Sequence, residues 1–109
     1  MIIGIGCDLI EIARIKKAAL NKAFLKKVYT PFEIEYCMNN GVHVWESFAV
    51  RFAAKEAVAK ALGCGFREGR WPEIEVWNND LGCPQVRLNG YFLKYAEQLG
   101  CKQYLLEGE

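Results

Sequence analysis

One helix sets the terms for everything else in this chain: Arg51-Phe-Ala-Ala-Lys-Glu-Ala-Val-Ala-Lys-Ala-Leu62. At about 100° per residue, Ala49, Val50, Ala53, Ala54, Ala57, Val58, Ala61 and Leu62 make a broad face of small residues. Phe48, Phe52 and Ala59 cover much of the opposite side. A helix apolar nearly all round belongs inside a domain, so it is expected to be largely buried. Glu56 and Lys60, at i and i+4, project from one edge between Phe52 and the alanines. An i,i+4 pair of this kind contributes only about 0.3–0.5 kcal/mol to a helix. A second carboxylate, Asp8, lies in Ile2-Ile-Gly-Ile-Gly-Cys-Asp8-Leu-Ile10, which reads as a buried strand. Two carboxylates and a lysine converging on apolar ground point to a hard cation with a phosphate beside it.

A chain of 109 residues, 52% of them hydrophobic, suits one domain spanning residues 1–109 with a core that needs no staples. The net charge of +1 and pI near 7.6 argue against a general nucleic-acid binder. Its five cysteines are scattered, with no Cys-x-x-Cys, so neither a zinc site nor a disulfide framework is indicated and reduced thiols in the cytoplasm are expected. No apolar stretch approaches the roughly 20 residues of a membrane span, and no signal peptide is expected.

The remaining elements follow from periodicity and punctuation. Residues 12–29 read as one amphipathic helix, with Ile12, Ile15, Ala19, Ala23 and Phe24 inward and Arg14, Lys16, Lys17, Lys22, Lys26 and Lys27 outward. Thr30-Pro-Phe-Glu33 is a capping box with proline at the first helical position, and its short helix ends near Asn39-Asn-Gly41. The central helix runs from Val44 to Leu62 and stops at Gly63-Cys-Gly65. Glu73–Asn78 and Gln85–Leu88 form a hairpin across Asn79–Pro84, residues 90–99 a helix, and residues 102–106 a last strand. This order makes an α+β domain, a small mixed or antiparallel sheet packed on a long central helix. With so few strands, open edges and the neighbourhood of Val76, Leu88 and Leu105 are expected to bury against another subunit.

Among candidate chemistries, nucleophilic hydrolysis is poorly supported. Ser47 and His43 are the sole serine and histidine, four residues apart on one helix, and read as a local polar contact. Gly4-Ile-Gly6 lacks the third glycine of a dinucleotide fingerprint. Six cations against Glu11 over residues 11–28 make a positive patch suited to a folded acidic protein, without the interleaved aromatics that stack bases.

Ile3-Gly-Ile-Gly-Cys-Asp8-Leu-Ile-Glu-Ile-Ala-Arg14, Thr30-Pro-x-Glu33, Arg51-Phe-Ala-Ala-Lys-Glu56-Ala-x-x-Lys60-Ala-Leu-Gly63 and Gly82-x-Pro84, in that order, resemble the holo-acyl-carrier-protein synthases. The resemblance implies a 4′-phosphopantetheinyl transferase of fatty acid biosynthesis, which moves the arm of coenzyme A onto a serine of apo acyl carrier protein and releases adenosine 3′,5′-bisphosphate. It implies Asp8 and Glu56 as ligands of Mg²⁺ and, with Lys60, as the catalytic set. The resemblance further implies that Lys60 would neutralise charge on the bridging and leaving oxygens. Arg51, Lys55, Lys60, Gly63 and Pro84 are implied at coenzyme A, and Arg14 with its neighbouring lysines at the carrier protein. A homotrimer with active sites at subunit boundaries is also implied. That family follows its last helix with a Ser-x-Ser-His strand and one more strand; here the place reads Gln103-Tyr-Leu-Leu-Glu-Gly-Glu109. The C-terminal strand is therefore expected to be missing and coenzyme A to bind less tightly. Cys64 and Cys83 stand where the family more often has threonine and lysine. A second reading, a homologue that binds the carrier protein without catalysis, stays open at this point.

Overall fold

The computed structural model describes residues 9–63, 65 and 69–100. Asp8, most of the expected first strand and all of the expected last one lie outside them. The order is α1 (Leu9–Ala18), α2 (Lys22–Val28), α3 (Pro31–Met38), a 3₁₀ turn (Gly41–His43), α4 (Val44–Leu62), a second 3₁₀ turn (Trp71–Glu73), β1 (Ile74–Asn78), β2 (Pro84–Leu88) and α5 (Gly90–Gln98).

Two expectations about the first third need correcting. Leu9 and Ile10, read as strand, form the exposed first turn of α1. The single helix over 12–29 is two, because Asn21 sits in extended conformation and its side chain accepts from the Ala23 N–H at 2.9 Å. An asparagine that caps a new helix ends the old one. Ile15 and Ala19 are buried as expected and Ile12 and Phe24 are half-buried, whereas Ala23 is exposed because the break resets the helical phase. The Thr30 capping box is present in both directions: Thr30 Oγ1 accepts from Glu33 N–H at 3.1 Å, and Glu33 Oε1 from Thr30 N–H at 2.8 Å.

The hairpin pairs antiparallel with Ile74 opposite Leu88 and Val76 opposite Val86, which puts all four on the buried face. Glu75 and Arg87, opposite charges in direct register, occupy the other face. The turn is set by Asn79, whose Oδ1 accepts from the N–H of both Leu81 and Cys83, and by Gly82 at φ +80°, which a side chain would strain.

Helix α4 connects two apolar cores. Its second half packs Ala54, Val58 and Ala59 against Ile74, Val76, Val86, Leu88 and the α5 residues Phe92 and Ala96. Its first half packs Phe48 and Ala49 against Ile15, Val28, Tyr29 and Cys37. Val76 and Leu88 thus spend their apolar surface inside the chain and do not form the subunit contact expected of them. Helix α4 is also less enclosed than its composition indicates, since Ala57 and Ala61 are exposed and charged residues take buried places instead.

Candidate functional site

The charged residues of α4 divide between two environments. Glu56 and Lys60 lie on an exposed edge, one helical turn apart, with Ala57 and Ala61 beside them. Neither has a hydrogen-bond or ion-pair partner among the described residues, and they do not pair with each other. Gly63 closes the helix in the left-handed region at φ +82°, its N–H donating to Lys60 O at 3.0 Å. The C-terminal dipole of α4 therefore favours a cation at Lys60. An exposed carboxylate free of partners fits the donor set of a hard cation, which takes oxygen from few carboxylates, substrate phosphates and water. Asp8, the other expected ligand, lies outside the described residues.

Arg51 and Lys55 face the interior. The Lys55 ammonium is fully buried and donates to Glu33 Oε1 at 2.8 Å, to Trp71 O at 3.2 Å and to Ile74 O at 2.5 Å. Three acceptors exhaust its donors, so the expectation that Lys55 assists with coenzyme A phosphates is corrected: it holds the fold together. Burial pulls its pKa below the ordinary value, with Glu33 opposing that shift. Glu33 is equally buried and also takes the Val76 N–H on Oε2 at 2.8 Å. One ion pair thereby joins α3, α4, the second 3₁₀ turn and β1, spanning both cores.

Arg51 is buried in a network at the other end of the sheet. Its guanidinium donates to Ser47 Oγ at 2.9 Å and to Asn78 Oδ1, and stacks over the Tyr36 ring at 4.4 Å. Its Nε is buried without a partner among the described residues. Ser47 in turn donates to Cys37 Sγ at 3.2 Å, while His43 faces Glu46 at 3.1 Å. Ser47 and His43 thus serve separate local partners and not each other. Burial pushes the Cys37 thiol up, which keeps it unreactive. A cleft of about 360 Å³ opens over this network, lined by Tyr36, His43, Ser47, Arg51 and Asn78 among others. Pro84, expected at coenzyme A, begins β2 and is half-buried. Gly63 is exposed at the end of α4.

The basic residues spread over α1 and α2. Arg14 is held by Glu11 at 2.7 Å, and with Lys17 it rims a cleft of about 560 Å³ floored by Ile15, Phe24 and Phe52. Lys26 and Lys27 line another of about 460 Å³ with Arg70, Trp71 and Pro72. Glu33, Tyr36, Asn78 and Arg70 were not singled out by sequence reasoning as site residues. Glu33 is fully accounted for locally by its capping box, and nothing in its neighbourhood signals a lysine on α4.

A family model described as the 4′-phosphopantetheinyl transferase superfamily matches residues 4–107. A holo-[acyl-carrier-protein] synthase of Solibacter usitatus is 44% identical over 109 residues, spanning 97% of this chain and 86% of the relative. One of Clostridium tetani is 53% identical over 92 residues, spanning 83% and 71%. Among solved structures, the holo-[acyl-carrier-protein] synthase of Neisseria meningitidis matches with a TM-score of 0.70 at 36% identity, covering 92% of this chain and 82% of that one. An acyl carrier protein synthase of Plasmodium yoelii with ADP bound matches with a TM-score of 0.66 at 36% identity, covering 92% and 78%.

Proposed function

The chain belongs to the 4′-phosphopantetheinyl transferase superfamily, and we propose that it is a holo-acyl-carrier-protein synthase. In the transfer, the hydroxyl oxygen of a carrier-protein serine attacks the phosphorus that bears the pantetheine arm and gives up its proton to solvent. The bond from that phosphorus to the bridging pyrophosphate oxygen breaks, and adenosine 3′,5′-bisphosphate leaves with the electron pair. The observation that carries this reading is the α4 edge: a carboxylate and an ammonium one turn apart, exposed and with no partner among the described residues.

Such a displacement needs positioning and charge neutralisation more than covalent help. Lys60 places its ammonium beside the phosphate oxygens and offsets the charge that builds on the leaving oxygen. Glu56, with Asp8 as the expected second carboxylate, would hold Mg²⁺, which would supply charge neutralisation at the pyrophosphate. The lysine clamp on Glu33 fixes the rotation of α4 and leaves this edge exposed with Ala57 and Ala61, a small-residue strip that would pack against a neighbouring subunit of a homotrimer. The carrier protein docks by its acidic side on α1 and α2. The free thiols of Cys37 and Cys83 suit the cytoplasm, where the product would serve fatty acid biosynthesis. Transfer of labelled phosphopantetheine to apo carrier protein with and without Mg²⁺ tests the proposal. Carrier-protein binding without transfer under any metal would favour the non-catalytic reading.

A further inference from the structure

The guanidinium of Arg51 is buried and positive, with no carboxylate to answer it among the described residues. The residue is 4% exposed and takes part in no ion pair with any of them. Glu46 lines the cleft over it but turns its carboxylate to His43 at 3.1 Å. Neutral oxygens hold the cation instead: Ser47 Oγ accepts from Nη1 at 2.9 Å, and Asn78 Oδ1 accepts from Nη2. These bonds leave donors over, the buried Nε among them. Burying a charge without a counter-charge costs a fold free energy, and neutral partners leave its field open towards the cleft.

Both acceptors are oriented from behind. Ser47 donates its hydroxyl hydrogen to Cys37 Sγ at 3.2 Å, so a lone pair faces Arg51. Asn78 donates its amide nitrogen to Gly82 O at 3.0 Å, so the amide oxygen faces Arg51. That second bond reaches into the hairpin turn, which Asn79 and Gly82 shape and which leads directly into Pro84. A single half-buried side chain thus grips both the buried cation and the turn before Pro84.

We infer that Asn78 is a positioning residue for coenzyme A. By joining Arg51 to the turn it fixes how these two contacts stand relative to each other. Being neutral, it also leaves the charge of Arg51 available to a phosphate of the ligand. The inference rests on the transferase reading above and on Arg51 and Pro84 as contacts of coenzyme A; Asn78 acts through them.

The test is titration of coenzyme A, with Mg²⁺ present, into the unchanged chain, Asn78→Ala and Asn78→Asp. Melting temperature, kcat and the KM values for coenzyme A and apo carrier protein are measured alongside. Alanine releases the guanidinium and the turn together, and should weaken coenzyme A binding roughly three- to tenfold. Aspartate keeps an acceptor for Arg51 and should melt no lower than alanine. Its charge offsets the cation, however, so coenzyme A affinity should fall at least as far as in alanine. In both variants kcat and KM for the carrier should stay unchanged. In an Arg51→Gln background, Asn78→Ala should cost clearly less than in the unchanged chain, because one of its two routes to the ligand is gone. Unchanged affinity in Asn78→Ala overturns the inference, and so does full affinity in Asn78→Asp, which would reduce Asn78 to a structural prop. A loss shared equally by coenzyme A and carrier protein would do the same. Should alanine prevent folding, the aspartate variant still decides. Failure of the unchanged chain to bind coenzyme A would instead overturn the transferase reading, and this inference with it.

Discussion

Removing the lysine of the buried ion pair should be among the most damaging single changes this fold can suffer. Lys55→Met keeps the length and apolar stem of the side chain but strips three acceptors of their donor: Glu33 Oε1, Trp71 O and Ile74 O. The carboxylate left behind is buried on every side. Breaking a buried pair from one end costs about 3–5 kcal/mol, mostly the uncompensated charge. Against the roughly 5–15 kcal/mol that stabilises a small domain, this is a large share, and the melting temperature should fall by at least about 12 °C. Glu33→Gln should cost a comparable amount, since it neutralises the group that holds Lys55 and leaves an amide donor facing donors. The double variant Glu33→Gln/Lys55→Met removes both charges, and its cost should fall short of the sum by at least about 1 kcal/mol. Urea unfolding followed by circular dichroism measures all four corners of the cycle. Costs that add to within about 0.5 kcal/mol, or a Lys55→Met cost below about 1 kcal/mol, would refute the claim that this pair joins the two cores. The pair also has a pH signature. Burial lowers the Lys55 pKa, so between that lowered value and the ordinary 10.5 the unfolded chain holds a proton the folded chain has released. Stability from this group therefore rises with pH through that window and levels off above it, and the slope should vanish in Lys55→Met.

Arg14→Glu should weaken carrier-protein association and flatten its salt dependence while leaving coenzyme A binding nearly untouched, as two separate titrations would report. Equal losses for both ligands would move Arg14 to the nucleotide site. Asn21→Ala should cost about 1 kcal/mol in urea unfolding, because the Ala23 N–H loses its cap and the break between α1 and α2 is no longer specified. A cost near zero would mean that packing of Ile15 and Val28, not the cap, sets the break.

The parts of this fold that were legible beforehand are those whose cause is local. Thr30 and Glu33 sit three apart and satisfy each other's backbone, so α3 begins where the capping box says. Gly63 ends α4 because the chain turns left-handed there, and the alternation of Ile74 and Val76 against Val86 and Leu88 fixes the hairpin face. The failures share a different cause. A hydrophobic period runs across Leu20-Asn21 without interruption, so only the side-chain hydrogen bond of Asn21 reveals two helices. On α4, periodicity marks Glu56 and Lys60 as an edge but treats Lys55 as one more cation of the same kind. Its burial depends on Glu33, 22 residues earlier, and on two carbonyls from the segment after the helix. No local pattern carries such a contact. Arg70 is similar: its neighbours in one cleft, Lys26 and Lys27, come from a distant part of the chain.

The exposed edge of α4 carries the proposed chemistry. The decisive measurement is the initial rate of phosphopantetheine transfer to apo carrier protein, at saturating coenzyme A and carrier, for the unchanged chain and for Glu56→Gln. Glutamine keeps the shape and the exposed position of that side chain, so folding and carrier binding should be preserved. The rate should fall by roughly 10²-fold or more, because charge neutralisation in the transition state is the chief contribution asked of this edge. A Glu56→Gln chain that binds carrier protein normally and transfers at the original rate would contradict the account.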